Sequence, residues 1–100
     1  MKQVKLTEKF LDELKSITTY IIQNSQSEVP GLKFYEGIQH SVMNLKDFPE
    51  LGVVPRYRAL RLKDFRVLIV ENYLVFYRIE EEIVMVYHIV HAKQDYKNLI

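Results

Sequence analysis

The hydrophobic positions of this chain are densest between residues 65 and 91, where Val, Ile, Tyr and Phe dominate. Such side chains pack well on a pleated surface, which predicts strands. Short polar breaks at residues 71–72 and 80–82 divide the stretch into three segments. These segments span residues 65–70, 73–79 and 83–91. Because breaks of this length permit hairpins but no crossover helix, the pattern predicts a three-stranded antiparallel meander.

Upstream of the meander, the apolar residues recur at helical spacing. The first apolar stripe consists of Phe10, Leu14, Ile17 and Ile21. Thr7 precedes this stripe as a candidate N-cap, so a helix is predicted over about residues 7–24. The second stripe consists of Phe34, Ile38, Val42 and Leu45. Pro30 suits the first turn of that second helix, and the polar turn between the stripes predicts an antiparallel helical hairpin.

Three local features complete the secondary-structure prediction. Residues 2–6 alternate weakly and form a candidate edge strand. Residues 53–64 are compatible with an extra strand, a helical turn or an extended loop. Gly37 lies in the middle of the second helix, where glycine costs about 1 kcal/mol relative to alanine. We expect a close approach to the first helix at Gly37 to offset that cost.

The element order predicts an α+β fold in a single domain of residues 1–100, with the helical hairpin on one face of the sheet. The side assigned to the helices carries Val67, Ile69, Val75 and Tyr77. The other side carries Arg66, Leu68, Leu74, Phe76 and Arg78. Because that second side is largely apolar and has no predicted cover, we expect it to bind a partner.

Composition and charge narrow the functional classes. The chain has no cysteine, which excludes disulfides and thiolate metal sites. No pair of its histidines has familiar metal-ligand spacing, so neither a metal nor another cofactor is expected. No signal peptide or membrane-spanning run is visible, and a cytoplasmic protein is expected. The net charge is only +1, but basic residues cluster in one stretch. They are Arg56, Arg58, Arg61, Lys63 and Arg66.

Several segments carry a family resemblance. The most specific segment is residues 65–79, FRVLIVENYLVFYRI. Before it lies the pattern Leu45-x-x-Phe48-Pro49-x-x-Gly52, and after it the pattern Ile89-Val90-His91-x-Lys93-x-Asp95-Tyr96. Together these segments resemble toxins of the RelE/ParE superfamily, from bacterial type II toxin–antitoxin pairs. The segment NYLVFYR makes the chain more similar to ParE than to RelE.

The resemblance implies the corresponding α+β fold and a cognate antitoxin as partner. It also implies one of two targets. RelE-like toxins cleave mRNA in the ribosome, whereas ParE-like toxins inhibit DNA gyrase without catalysis. RelE-like toxins place cations on the open sheet face, and the matching positions here are Arg66, Leu68 and Leu74. Since leucine cannot stabilise a phosphorane, we expect a gyrase-binding inhibitor, with a ribosome-dependent mRNA endonuclease as the alternative.

The candidate site residues follow from the two targets. A nuclease would have to use Arg66, Arg78, His91, Lys93 and Tyr96. His91 would be its acid or base, although a lone histidine ending an apolar strand is more often a packing residue. The residues expected to bind the target or the antitoxin are Arg56, Arg58, Arg61, Lys63, Arg66, Leu74, Phe76, Lys93, Tyr96 and Lys97. The basic cluster could equally be a solvated loop, and Tyr96 and Leu99 could simply pack on the core.

Overall fold

The computed structural model describes residues 2–96 and 99 of the chain. Its helices are α1 (Glu8–Ser25), α2 (Glu28–Met43) and α3 (Arg58–Leu62), and a short 3₁₀ turn, Asn44–Lys46, follows α2. Its strands are β1 (Gln3–Leu6), β2 (Arg66–Val70), β3 (Tyr73–Glu80) and β4 (Ile83–His91). The predicted order of strand, helical hairpin and antiparallel meander is confirmed.

The helix starts are set by side-chain caps. Thr7 caps α1 as predicted, because its hydroxyl accepts a hydrogen bond from the Phe10 backbone N–H at 3.1 Å. Helix α2 begins before Pro30, since the Ser27 hydroxyl accepts from the Val29 N–H at 3.3 Å. Pro30 therefore lies in the first turn, where its missing N–H costs no helical hydrogen bond.

The close approach between the two helices lies at Gly31, and the expectation for Gly37 is wrong. A Cβ atom built on Gly31 would overlap the Ile22 side chain of α1. A Cβ atom on Gly37 would have no neighbour within 4 Å among the residues that the structure describes. Gly31 is buried and Gly37 is exposed, so only the first is required by packing.

The four strands form one mixed sheet in the order β1-β4-β3-β2. Strand β1 pairs parallel with the first half of β4, from Gln3 opposite Ile83 to Leu6 opposite Val86. Beyond Leu6, a side chain of helix α1 hydrogen-bonds with the edge of β4 in place of β1. The Glu13 carboxylate accepts a hydrogen bond from the Ile89 N–H at 3.0 Å. A helix-borne carboxylate thus replaces a strand where β1 ends.

The register of β2 against β3 corrects the predicted assignment of faces. The turn of two residues after Val70 places Val70 opposite Tyr73, and Leu68 consequently lies opposite Val75. Directly opposite residues share a face, so Leu68 packs towards the helices in the core that also contains Val75. Val67 lies opposite Phe76 and faces away from the helices. The prediction had β2 shifted by one residue, which exchanges its two faces.

Two separate cores sandwich the sheet. The first lies between the sheet and the helical hairpin, and its largest fully buried side chains include Phe10, Ile38 and Tyr77. The second lies on the opposite face and contains Leu60, Phe65, Val67, Leu74, Phe76 and Val90. Leu60 of α3 covers this second core, and Tyr96 and Leu99 of the tail pack against it. The expectation that this face is uncovered is therefore wrong.

Candidate functional site

The basic segment, residues 56–63, contains the exposed helix α3, and its cations are not equivalent. Arg58 is exposed at the first turn of α3, and Lys63 is exposed directly after its last residue. Neither side chain has a partner among the described residues. Arg61, by contrast, turns back onto its own loop. Its Nη1 donates to the carbonyl oxygens of Pro55 at 3.1 Å and Arg56 at 2.5 Å. Arg58 and Lys63 are thus available to a partner, whereas Arg61 holds the segment in shape.

An aromatic stack joins the basic segment to the tail. The ring of Tyr57 lies edge-on to that of Tyr96, with 5.0 Å between centroids, and Tyr96 lies 5.3 Å from Phe76. The Arg56 guanidinium lies 5.0 Å from the centre of the Tyr57 ring and donates to its hydroxyl at 3.1 Å. This hydrogen bond raises the pKa of Arg56 above its ordinary value. Arg56, Tyr57 and Tyr96 thus form a cationic and aromatic surface at one end of the second core.

Arg78 is the cation that β3 carries on the second face. Its guanidinium lies 5.5 Å from the Phe65 ring centre and 5.3 Å from that of Tyr87. The same group forms an ion pair of 3.1 Å with Glu80, whose carboxylate also accepts from the Tyr87 hydroxyl at 2.5 Å. The Tyr87 hydrogen bond and, after it, Arg78 lower the pKa of Glu80. Burial, and then the Glu80 carboxylate, raise the pKa of Tyr87. Arg78 is thus neutralised by a local partner.

Arg66 lies on the helical side of β2 and binds backbone rather than solvent. Its Nη2 donates to the carbonyl oxygens of Glu50 at 3.1 Å and Gly52 at 2.7 Å. Tyr77, which lies opposite Arg66 in the sheet, supports the same loop. The Tyr77 hydroxyl accepts from the Gly52 N–H at 2.9 Å and donates to the Pro49 carbonyl at 2.7 Å. Arg66 and Tyr77 therefore act together as a clamp on residues 49–52.

His91 also lies away from the second face. Its ring packs edge-on against Tyr73, which in turn packs on Phe34 of α2. Its Nδ1 accepts a hydrogen bond from the Lys93 backbone N–H at 3.0 Å, so the proton of neutral His91 lies on Nε2. The Lys93 side chain is exposed in the turn after β4.

The residues proposed for a nuclease are consequently divided by the sheet. Arg66 and His91 lie on the helical side, whereas Arg78 and Tyr96 lie on the second face. On the second face, β2 presents Val67 and Ile69, neither of which carries a charge. The sheet therefore separates Arg66 and His91 from Arg78 and Tyr96.

The remaining predicted binding residues differ in accessibility. Leu74 and Phe76 are 8% and 0% exposed, because α3 and the tail cover them. Lys97 lies outside the described residues. The sequence analysis did not identify three residues of the candidate site, namely Tyr57, Glu80 and Tyr87. Tyr57 stands between two arginines, and this basic and aromatic pattern could have indicated it.

The structure shows neither a metal-binding cluster nor a membrane-spanning helix among the residues that it describes. Within residues 2–96 and 99, no three histidine or acidic side chains are grouped so that they could hold a metal ion. In the same part of the chain, no helix combines the length and the apolar composition that crossing a bilayer requires.

Comparison with known proteins identifies the family. Residues 4–96 match the model of the ParE toxin of the type II toxin–antitoxin system parDE. The fold is similar to that of a chain from a chromosomal ParDE toxin–antitoxin system of P. aeruginosa, with a TM-score of 0.77 and 18% identity. That similarity covers 93% of this chain and 98% of the other. A search of curated proteins gives no match. Because the family match spans nearly the whole chain, the protein belongs to the ParE toxin family of type II toxin–antitoxin systems.

Proposed function

We propose that this ParE-family toxin arrests growth by binding DNA gyrase and that it has no nuclease activity. Its partner in the cell is a cognate antitoxin, as for type II systems generally. The observation that carries the proposal is the division of the candidate nuclease residues between the two sides of the sheet. A ribonuclease of this size needs its acid, base and phosphate-binding cations within reach of one bond.

The contact surface that we propose for gyrase is the basic segment with its aromatic neighbours. Arg58 in α3 and Lys63 directly after α3 have no side-chain partner among residues 2–96 and 99, and Arg56 lies beside Tyr57. Exposed cations beside aromatic rings favour an acidic partner surface, and they increase the rate of association most at low salt.

A supercoiling assay with purified gyrase tests the proposal. We expect the toxin to inhibit supercoiling, and we expect primer extension on translated mRNA to show no toxin-dependent cleavage. Cleavage of translated mRNA, combined with unimpaired supercoiling at toxin excess, would instead establish the nuclease alternative.

Two charge reversals locate the contact surface. Arg58→Glu should weaken inhibition by about threefold to tenfold at low salt, with a smaller difference at high salt, and leave the melting temperature unchanged. Arg61→Glu should lower the melting temperature, because it removes the two hydrogen bonds to the carbonyls of Pro55 and Arg56. Lys33→Glu on α2 is the matched control for a charge change elsewhere on the surface. Equal inhibition by the Arg58 and Lys33 variants would exclude the basic segment as the contact.

A further inference from the structure

The apolar loop, residues 47–54, joins the 3₁₀ turn to the stretch that carries the basic segment. Four of its side chains are each more than half exposed, namely Phe48, Leu51, Val53 and Val54. Phe48, Pro49 and Leu51 also line a surface cavity of about 400 Å³. Aromatic and aliphatic side chains that are exposed together on one loop are typical of the centre of a protein interface.

The sheet holds the backbone of this loop in one conformation. Arg66 and Tyr77 make four hydrogen bonds with the backbone of residues 49–52. Tyr77 is fully buried, and the Nε of Arg66 is buried without a hydrogen-bond partner among the described residues. A buried N–H without a partner lowers stability, so the clamp fixes the loop at a cost to the fold. Because its backbone is already fixed, the loop loses little conformational entropy when a partner binds its side chains.

The apolar loop and the basic segment form one continuous surface. Val54 of the loop and Arg61 of the basic segment line the same cavity, which has a volume of about 360 Å³. Arg61 also binds the carbonyl oxygens of Pro55 and Arg56, where the loop runs into the basic segment. A partner seated on the basic segment therefore also lies next to the apolar loop.

The gyrase contact proposed above needs an apolar anchor. Exposed cations mainly increase the rate of association, whereas a few side chains that become buried in the interface account for most of the binding free energy. Leu74 and Phe76 cannot be that anchor, because α3 and the tail cover them. Phe48 is suited to the role, because its ring is exposed on the loop that continues into the basic segment.

The charges around the loop further define the partner surface. Exposed Asp47 and Glu50 flank Phe48, whereas the exposed cations Arg58 and Lys63 lie further along the chain. The complementary surface is an apolar socket whose rim is basic towards Asp47 and acidic towards Arg58. A socket with two rims of opposite charge requires a folded partner, which an enzyme such as gyrase provides and a short extended peptide does not.

From this arrangement we infer that Phe48 anchors the toxin in an apolar socket of DNA gyrase. Leu51 and Val54 pack around the mouth of the socket, and the free cations of the basic segment meet acidic groups at its rim. The inference rests on the proposed function, since it takes gyrase as the partner.

Supercoiling assays with purified gyrase compare two exposed aromatic rings. Phe48 is 64% exposed in the apolar loop, and Tyr20, the matched control, is 65% exposed on α1. Phe48→Ala should raise the toxin concentration for half-maximal inhibition about tenfold, whereas Tyr20→Ala should leave it unchanged. Because the contact is apolar, the effect of Phe48→Ala should persist at high salt, unlike that of Arg58→Glu. Both alanine variants should keep the wild-type melting temperature.

Tyr77→Phe tests whether the clamp positions the loop. This change removes the hydroxyl that accepts from the Gly52 N–H and leaves the buried ring in place. We expect faster hydrogen exchange of the Gly52 amide and weaker inhibition at a temperature where the variant remains folded. Unchanged exchange in β3 would separate loss of loop order from general destabilisation. Full inhibition by a variant whose loop exchanges rapidly would overturn the positioning role of Tyr77.

Hydroxyl-radical footprinting of the wild-type toxin keeps the inference independent of how the variants fold. Phe48 and Leu51 should be oxidised in the free toxin and protected in the gyrase complex, whereas Tyr20 should be oxidised in both. Oxidation of Phe48 in a stable gyrase complex would overturn the anchor and leave the proposed function standing. A wild-type toxin that neither binds nor inhibits gyrase would overturn both.

Two other results would assign the apolar loop to a different occupant. If Phe48→Ala lost binding to the full-length cognate antitoxin but inhibited gyrase fully, the loop would belong to the antitoxin interface. If Phe48→Ala dissociated a toxin dimer and inhibited gyrase fully, the loop would join two copies of the chain. Either result contradicts the inference.

Discussion

At the scale of single residues, the arginines of this protein carry the same charge but make different contacts. Arg58 has no partner among the described residues, and Arg56 lies beside Tyr57. Arg61 and Arg66 bind backbone carbonyls, and Arg78 is paired with Glu80. The sequence shows which residues are arginines, each with five N–H donors, but it does not show which acceptors lie near each guanidinium. A basic cluster counted from sequence therefore overstates the charge that is free for a partner.

Glu80 is the residue whose ionisation should affect stability. Its folded-state pKa lies below the ordinary value, because it accepts from Tyr87 and pairs with Arg78. The stabilisation is thus fully present above the unfolded-state pKa and is lost as the pH falls through the folded-state pKa. We expect the wild-type protein to lose more stability than Glu80→Gln between about pH 5 and pH 3.

Urea denaturation at each pH measures this difference. Glu36→Gln, which changes an exposed carboxylate on α2, should retain the wild-type pH dependence. Parallel pH profiles for the wild type and the Glu80 variant would show that the ionisation of Glu80 does not contribute to stability.

At the scale of elements, the periodicity of the sequence predicts each long helix and strand, and tertiary packing decides which positions matter within them. The two-residue turn after Val70 fixes the pairing of β2 with β3. Helix α3 is too short to show a helical period, so residues 53–64 could not be assigned. Its formation depends on Leu60, which is fully buried against the second core.

The two glycines of α2 should respond in opposite directions to alanine. Gly37→Ala should stabilise the protein by about 0.5–1 kcal/mol, because the position is open and alanine favours the helix. Gly31→Ala should destabilise it by about 1–3 kcal/mol, because the added Cβ overlaps Ile22. Chemical denaturation of the two variants provides the comparison. Stabilisation by both substitutions would mean that the hairpin can open at Gly31 without loss.

At the scale of the whole molecule, the sheet is buried on both faces by parts of the chain that are far apart in sequence. The helical hairpin covers one face, and α3 with the tail covers the other. Tyr96 is central to the second cover, because it contacts both Phe76 of β3 and Tyr57 at the start of α3. The tail is therefore part of the core as well as a candidate contact for the target.

Removal of the Tyr96 ring should measure how much the tail contributes to the free energy of unfolding. Tyr96→Ala is expected to lower the free energy of unfolding by about 2 kcal/mol, since apolar contacts with Phe76 and Tyr57 are lost. Tyr20→Ala on α1, where the ring is 65% exposed, should change it by less than about 0.5 kcal/mol. A Tyr96 variant as stable as the control would restrict the tail to target binding.

The sequence by itself determined the α+β order, the helical hairpin, the meander and the family, because those depend on local periodicity and on one long specific segment. Only the tertiary structure decided that Leu68 faces the helices and that Leu74 and Phe76 are covered. It also decided that Arg66 and His91 lie on the other side of the sheet from Arg78. The reason is that faces and covers depend on strand register and on contacts between distant segments. A shift of one residue exchanges the two faces of a strand without altering its hydrophobic pattern.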